Sequence, residues 1–99
     1  MDNSFQVKKS VPQDHAVFAG HFPGDPLVPG ALLLQWIADA IAEQKPTLSL
    51  PVLKTMKFLQ PVRPGDELLF EFTVADASLS AVATVAGAIV AKARFELQE

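Results

Sequence analysis

Apolar and polar positions change their spacing several times along the chain, and each change marks an element. Near the N-terminus Phe5, Val7 and Val11 alternate weakly with polar neighbours, which predicts a short strand over residues 4–12. Between residues 13 and 30 the density of turn formers (Gly20, Pro23, Gly24, Pro26, Pro29 and Gly30) breaks any period, so a loop with defined turns is expected. From Ala31 to Glu43 the run Ala-Leu-Leu-Leu-Gln-Trp-Ile-Ala-Asp-Ala-Ile-Ala-Glu is rich in strong helix formers and apolar nearly all round in its first half. That combination predicts a buried helix. Pro29 suits its first turn, where a missing N–H is no loss, and Pro46 marks its end.

The remainder reads as β. Residues 52–60 form one expected strand, stopped by Pro61. Pro61-Val-Arg-Pro-Gly-Asp66 is turn chemistry, because Pro64 presets φ and Gly65 permits a positive φ. Residues 67–75 alternate, with Leu68, Phe70, Phe72 and Val74 on one face, and Asp76-Ala-Ser78 is a plausible hairpin turn. Two more strands, 79–86 and 88–97, flank Gly87; in the second, Ala91, Ala93, Phe95 and Leu97 oppose Lys92, Arg94 and Glu96. Trp36, Phe58, Phe70 and Phe72 are assigned to the core, with the wall of an acyl tunnel as the alternative for some of them. One strand, a loop, a buried helix and four strands make an α+β domain with an antiparallel sheet wrapped on one helix. The 99 residues leave room for one domain, spanning 1–99.

Composition narrows the partners. The chain is 49% hydrophobic and 19% charged, which suits a globular domain rather than a disordered one. A domain this short buries a smaller share of its surface than a large one, so apolar area is expected to remain for a partner subunit. The net charge is -3, and the eight Lys and Arg are spread out rather than clustered, which argues against nucleic acid. No cysteine is present, which removes disulfides, thiolate ligands and cysteine nucleophiles and fits a cytoplasmic protein. The N-terminus lacks the basic start and apolar run of a signal peptide. The longest apolar stretch, Ala31 to Ala42, is interrupted by Gln35 and Asp39 and falls short of the roughly 20 residues that span a bilayer, so no membrane association is expected. His15 and His21 are not at paired ligand spacing, so neither a metal nor a redox cofactor is expected.

Two motifs carry a resemblance. Gly20-His-Phe-Pro-Gly-Asp-Pro-Leu-Val-Pro-Gly30 is similar to the signature loop of the 3-hydroxyacyl-acyl-carrier-protein dehydratases, in which Gly-His-Phe-Pro leads through Pro-x-x-Pro-Gly into a central helix. Phe58-Leu-Gln-Pro-Val-Arg-Pro-Gly-Asp66 resembles that family's Phe-x-x-Pro-Val-x-Pro-Gly-Asp, in the right order and followed by strands of fitting number and length. The resemblance runs from about residue 4 onward, without the family's usual N-terminal extension. Leu34-Gln35-Trp36 looks most like the short dehydratase-like proteins of aryl polyene and related polyketide pathways. It implies a hot-dog fold, usually paired edge to edge as a dimer with active sites at the subunit interface. The implied activity is dehydration of a 3-hydroxyacyl thioester, on acyl carrier protein or coenzyme A, to the trans-2-enoyl thioester in fatty-acid or polyketide-type biosynthesis.

That reaction needs a base for the proton beside the carbonyl, an acid for the departing hydroxyl, and stabilisation of charge on the thioester oxygen. By resemblance His21 is the base, and a neutral imidazole titrates close to working pH. The bland alternative is a histidine that only hydrogen-bonds its turn; the motif context favours the catalytic reading. His15 matches no motif position. The N–H groups at the helix start, near Gly30 and Ala31, are the expected charge stabilisers. Glycine there also admits close approach to the backbone. The family places its Glu or Asp five residues beyond Pro-Gly, where this chain has Gln35, an amide that cannot release a proton. The family's Gln, one turn later, is matched by Asp39, so the pair looks exchanged.

Two readings of that pair stay open. Asp39 supplies the missing carboxylate, directly or through water or Gln35; or Gln35, Asp39 and Glu43, at successive i+4 positions, are the solvent stripe of an amphipathic helix. Phe18, Phe22 and Trp36 are candidates for the substrate-binding wall, against the plainer role of packing. Lys54, Lys57, Arg63, Lys92 and Arg94 could steer an acidic carrier protein, or simply be a solvated surface. Three functions are therefore carried forward: a dehydratase, a non-catalytic acyl-binding subunit that forms a heterodimer with a complete dehydratase, and a hot-dog thioesterase. A homodimer is the alternative assembly for the first.

Overall fold

The computed structural model describes residues 3–13, 27–48 and 51–97. Its elements run β1 (Ser4–Ser10), α1 (Gly30–Gln44), β2 (Val52–Phe58), β3 (Glu67–Ala75), β4 (Ser78–Val85) and β5 (Ala88–Glu96). The five strands form one antiparallel sheet in the order β1-β3-β4-β5-β2. The strands therefore match the sequence expectation in number and order, and the helix starts one residue before Ala31 and ends one after Glu43.

Period-2 alternation decides which face of the sheet meets the helix. Leu68, Phe70 and Phe72 of β3, Leu79, Ala81 and Ala83 of β4, and Ala91, Ala93 and Phe95 of β5 are all buried on one side. The helix meets them with Leu33, Trp36, Ile37, Ala40 and Ile41, the i, i+3, i+4, i+7, i+8 stripe of an amphipathic helix. The alanines of β4 and β5 leave space for the helix, and the phenylalanines of β3 fill the flank beside it. Phe5 of β1 stacks on Phe72 with ring centroids 4.6 Å apart. This is the hot-dog arrangement, a curved antiparallel sheet around one helix.

Two sequence expectations need correction. The helix is not buried all round: Ala31, Gln35, Asp39, Ala42 and Glu43 are exposed and form an open stripe. Its apolar run is only one stripe deep, because alanines occupy much of the face turned away from the sheet. Phe58 is not core either, since 54% of it is exposed. It closes β2, an edge strand with no neighbour on one side, so the inward-facing ring has only a partial cover.

The turns follow their residue chemistry. Ala86 (φ 51°) and Gly87 (φ 83°) both take positive φ between β4 and β5, the hairpin geometry whose twist matches the strands. Gly65 (φ 85°) lies in the expected Pro-Gly turn, where the Arg63 N–H donates to the Asp66 carboxylate at 2.8 Å.

Candidate active site

The second motif does more than turn the chain. The Val11 N–H donates to the Asp66 carbonyl and the Gly65 N–H to the Val11 carbonyl, both at 2.9 Å. The Val28 N–H donates to the Val62 carbonyl at 2.7 Å. Residues 62–66 thus hold the chain where it leaves β1 and again where it enters α1, and Val11 and Val62 are both buried there. In sequence, most of the first motif lies between these anchors. His21, Phe18 and Phe22 lie outside the described residues.

At the start of α1, Pro29 is the N-cap in an extended conformation (φ -60°, ψ 146°) and no side chain caps the helix. The Leu32 and Leu33 N–H groups both donate to the Pro29 carbonyl, at 3.0 and 3.1 Å. The N–H groups of Gly30 and Ala31 have no partner among the described residues, and no acid occupies the first turn. Free donors and the positive end of the helix dipole coincide at this point. Phe58 stands directly over it: a methyl group on Gly30 would meet the ring's Cζ at 2.7 Å. Gly30, Phe58, Leu27 and Leu59 line a hollow of about 450 Å³ beside the helix start. The sequence singled out Gly30 for close approach but not the ring that approaches it; the glycine itself was the available signal.

One turn further along, the Gln35 Nε2 donates to the Asp39 Oδ1 at 2.8 Å, with both side chains exposed. The i+4 spacing brings the two together as the helix period requires. The amide holds one carboxylate oxygen, and the other has no partner among the described residues. Asp39 also stands at the rim of a hollow of about 590 Å³ whose walls include Ala38, Ile41, Ala42, Leu48 and Phe95. Trp36 does not share this stripe. It is buried on the sheet side, with the Lys9 ammonium 5.0 Å from its ring centroid, a cation–π contact. Ala31, Gln35 and Asp39 are therefore brought to one open face, with Gly30 half-buried at its head.

A family model described as ApeI-like, ApeI dehydratase, matches residues 1–93. The chain is 39% identical, over 90% of its length, to the 3-hydroxyacyl-[acyl-carrier-protein] dehydratase FabZ of Enterococcus faecalis, and spans 72% of that protein. It is 40% identical, over 66% of its length, to the FabZ of Chlamydia trachomatis, and spans 49% of it. A chain of the dehydratase heterocomplex ApeI:P from Xenorhabdus doucetiae superposes with a TM-score of 0.80 at 21% identity, covering 100% of this chain and 90% of that one. An N-terminal dehydratase from the difficidin assembly line superposes with a TM-score of 0.81 at 18% identity, covering 99% of this chain and 39% of that one.

Proposed function

The chain belongs to the ApeI-like dehydratase family, and from that premise we propose that it removes water from a 3-hydroxyacyl thioester carried on acyl carrier protein or coenzyme A. His21 takes the proton from the carbon beside the carbonyl. The C–O bond at the next carbon breaks, and the hydroxyl leaves as water with a proton from the Asp39 carboxyl. The thioester oxygen, which gains charge as the C–H bond breaks, accepts from the Gly30 and Ala31 N–H groups. The product is the trans-2-enoyl thioester.

The observation that carries this reading is the Gln35–Asp39 hydrogen bond on the open helix face. Five residues from Gly30 to Gln35 correspond to about 7.5 Å along the axis. Gln35 cannot donate the proton, but it holds the carboxyl group of Asp39, which donates it in its protonated form. A histidine brought onto this face by a neighbouring hot-dog subunit would complete the set, and the exposure of the stripe supports such pairing. The acyl chain has apolar room beside Asp39; Phe18 and Phe22 are candidates for its wall, whereas Trp36, buried on the sheet side, is not. The reading needs no metal and no redox cofactor, since both proton transfers use side chains. No helix among the described residues is long and apolar enough to cross a membrane, and the proposed substrate carriers are those of the cytoplasm.

The test is incubation of the purified protein with 3-hydroxyacyl thioesters on carrier protein, followed by mass spectrometry. Loss of one water by the wild type, absent in His21→Ala, is the expected result. No turnover by either chain would favour the reading in which Gln35 marks a subunit that serves a complete dehydratase. Release of free acid with the thiol, and no loss of water, would make the protein a thioesterase.

A further inference from the structure

The face of the sheet turned away from α1 carries its charges unevenly. Side chains alternate along each strand, and Ala93 and Phe95 of β5 are buried toward the helix. Lys92 and Arg94 therefore point outward, together with the residues paired to them. Pairing sets these in two rows. Thr55, Arg94 and Ser80 lie side by side in one, and Lys57, Lys92 and Val82 in the next. Lys57 and Lys92 are directly opposite, about 5 Å apart at Cβ, and Arg94 is about 7 Å from both. The three cations and the Thr55 and Ser80 hydroxyls are exposed, and they line a hollow of about 260 Å³.

No acid answers these cations. Among the described residues, none of the three takes part in an ion pair. Glu96, the next outward residue after Arg94, is engaged by Lys54 at 3.1 Å. Glu71 faces Val82 at the end of the lysine row, two strand spacings or about 9.5 Å from Lys92. Asp76 borders a neighbouring hollow with Arg94 but does not pair with it. Like charges directly opposite each other across strands are destabilising, so the cluster opposes folding as it stands. An anion placed among the three reverses the sign, because each cation then has an opposite charge within reach. The Arg94 fork matches two oxygens of a phosphate, the ammonium groups supply point charges, and the hydroxyls donate to what remains. A second hollow, of about 520 Å³, opens from Thr55 and Arg94 toward Asp76 and Ser78. It gives polar room to an organic group attached to that phosphate.

We propose that Lys57, Lys92 and Arg94, with the hydroxyls of Thr55 and Ser80, form a phosphate-binding site on the outer face of the sheet. Its ligand is a phosphate group, free or as the monoester of a small polar molecule. The sheet and the body of α1 separate this site from the Gln35–Asp39 stripe, so it stands or falls apart from the dehydratase reading.

Calorimetric titration at low ionic strength tests the site, with inorganic phosphate and adenosine 5'-monophosphate as the probes. The wild type binds at least one of them saturably. Lys92→Glu and Lys57→Glu each weaken that binding at least about tenfold, the equivalent of 1.4 kcal/mol. Lys8→Glu is the control: Lys8 is exposed on the same face of the sheet but on β1, outside the cluster. It changes the net charge equally and leaves the affinity within about threefold, since screening weakens charges at that distance. Tighter binding of the nucleotide identifies a monoester as the ligand, and equal or weaker binding identifies free phosphate. Binding of neither probe overturns the proposal. So does a Lys8→Glu loss as large as that of Lys92→Glu, which would trace the effect to net charge alone. All three substituted positions are exposed, and urea unfolding verifies that each variant is folded.

Discussion

A methyl group at Gly30 would meet the far end of the Phe58 ring, which is itself half in solvent and able to swing aside. Gly30→Ala should therefore cost stability at the low end of overpacking, about 1 kcal/mol. In a Phe58→Leu background the cost should shrink or reverse, because alanine is the better helix former. A double-mutant cycle from urea unfolding reads that coupling directly, and additive effects would show that the contact carries no strain. The resemblance to the dehydratase motifs singled out Gly30, Gln35 and Asp39, and the helix period then put Gln35 and Asp39 on one face. Sequence reasoning missed Phe58's position because a phenylalanine at a strand end looks alike whether its far side is core, solvent or partner. The Gln35–Asp39 contact was legible as an i+4 pair, but its direction, amide to carboxylate, required coordinates.

At the scale of elements, β3 and β5 were plain from alternation, since each has one buried face and one exposed face. β2 was legible as a strand but not as an edge, because strand order is a long-range property that local pattern does not encode. The helix reads as buried from its sequence for a related reason: alanines look apolar whether or not anything covers them. The β4–β5 hairpin offers a cleaner test of local chemistry. Ala86 sits at φ 51°, a region that costs a residue with Cβ roughly 1–2 kcal/mol and that asparagine tolerates better. Ala86→Asn should raise stability by about 0.5–1 kcal/mol, seen as a higher urea midpoint with an unchanged slope. A lower midpoint would mean that the turn is held by contacts rather than by its own preference.

Across the whole molecule, one cluster joins α1 to all three central strands, so damage to it should be felt globally. Leu79, with no exposed surface, lies within it. Leu79→Ala should cost about 2–5 kcal/mol, with far-UV and near-UV transitions still coincident. Separate transitions would show that helix and sheet unfold as independent units. The same core leaves one side of α1 open, with Gly30 at the head of its exposed stripe and Asp39 nine residues on. Residues 62–66 tie Val11, ahead of the first motif, and Val28, within it, to this frame. Fold and site thus depend on each other through the second motif, whose turn residues the sequence displayed without saying what they hold.

In the proposed mechanism Asp39, held by Gln35, supplies the carboxyl that the resemblance to the dehydratases leads one to expect at the position of Gln35. The most direct measurement is kcat/KM for dehydration of a 3-hydroxyacyl thioester by the wild type, Asp39→Asn, and Asp39→Asn combined with Gln35→Glu. The account predicts that Asp39→Asn loses about 10²–10⁴-fold, the usual worth of a positioned acid. It predicts that Gln35→Glu in the same chain recovers at least about tenfold of that loss, the equivalent of 1.36 kcal/mol of barrier. Wild-type turnover by Asp39→Asn would contradict it, and Asp39 and Gln35 would then be no more than the polar face of an amphipathic helix.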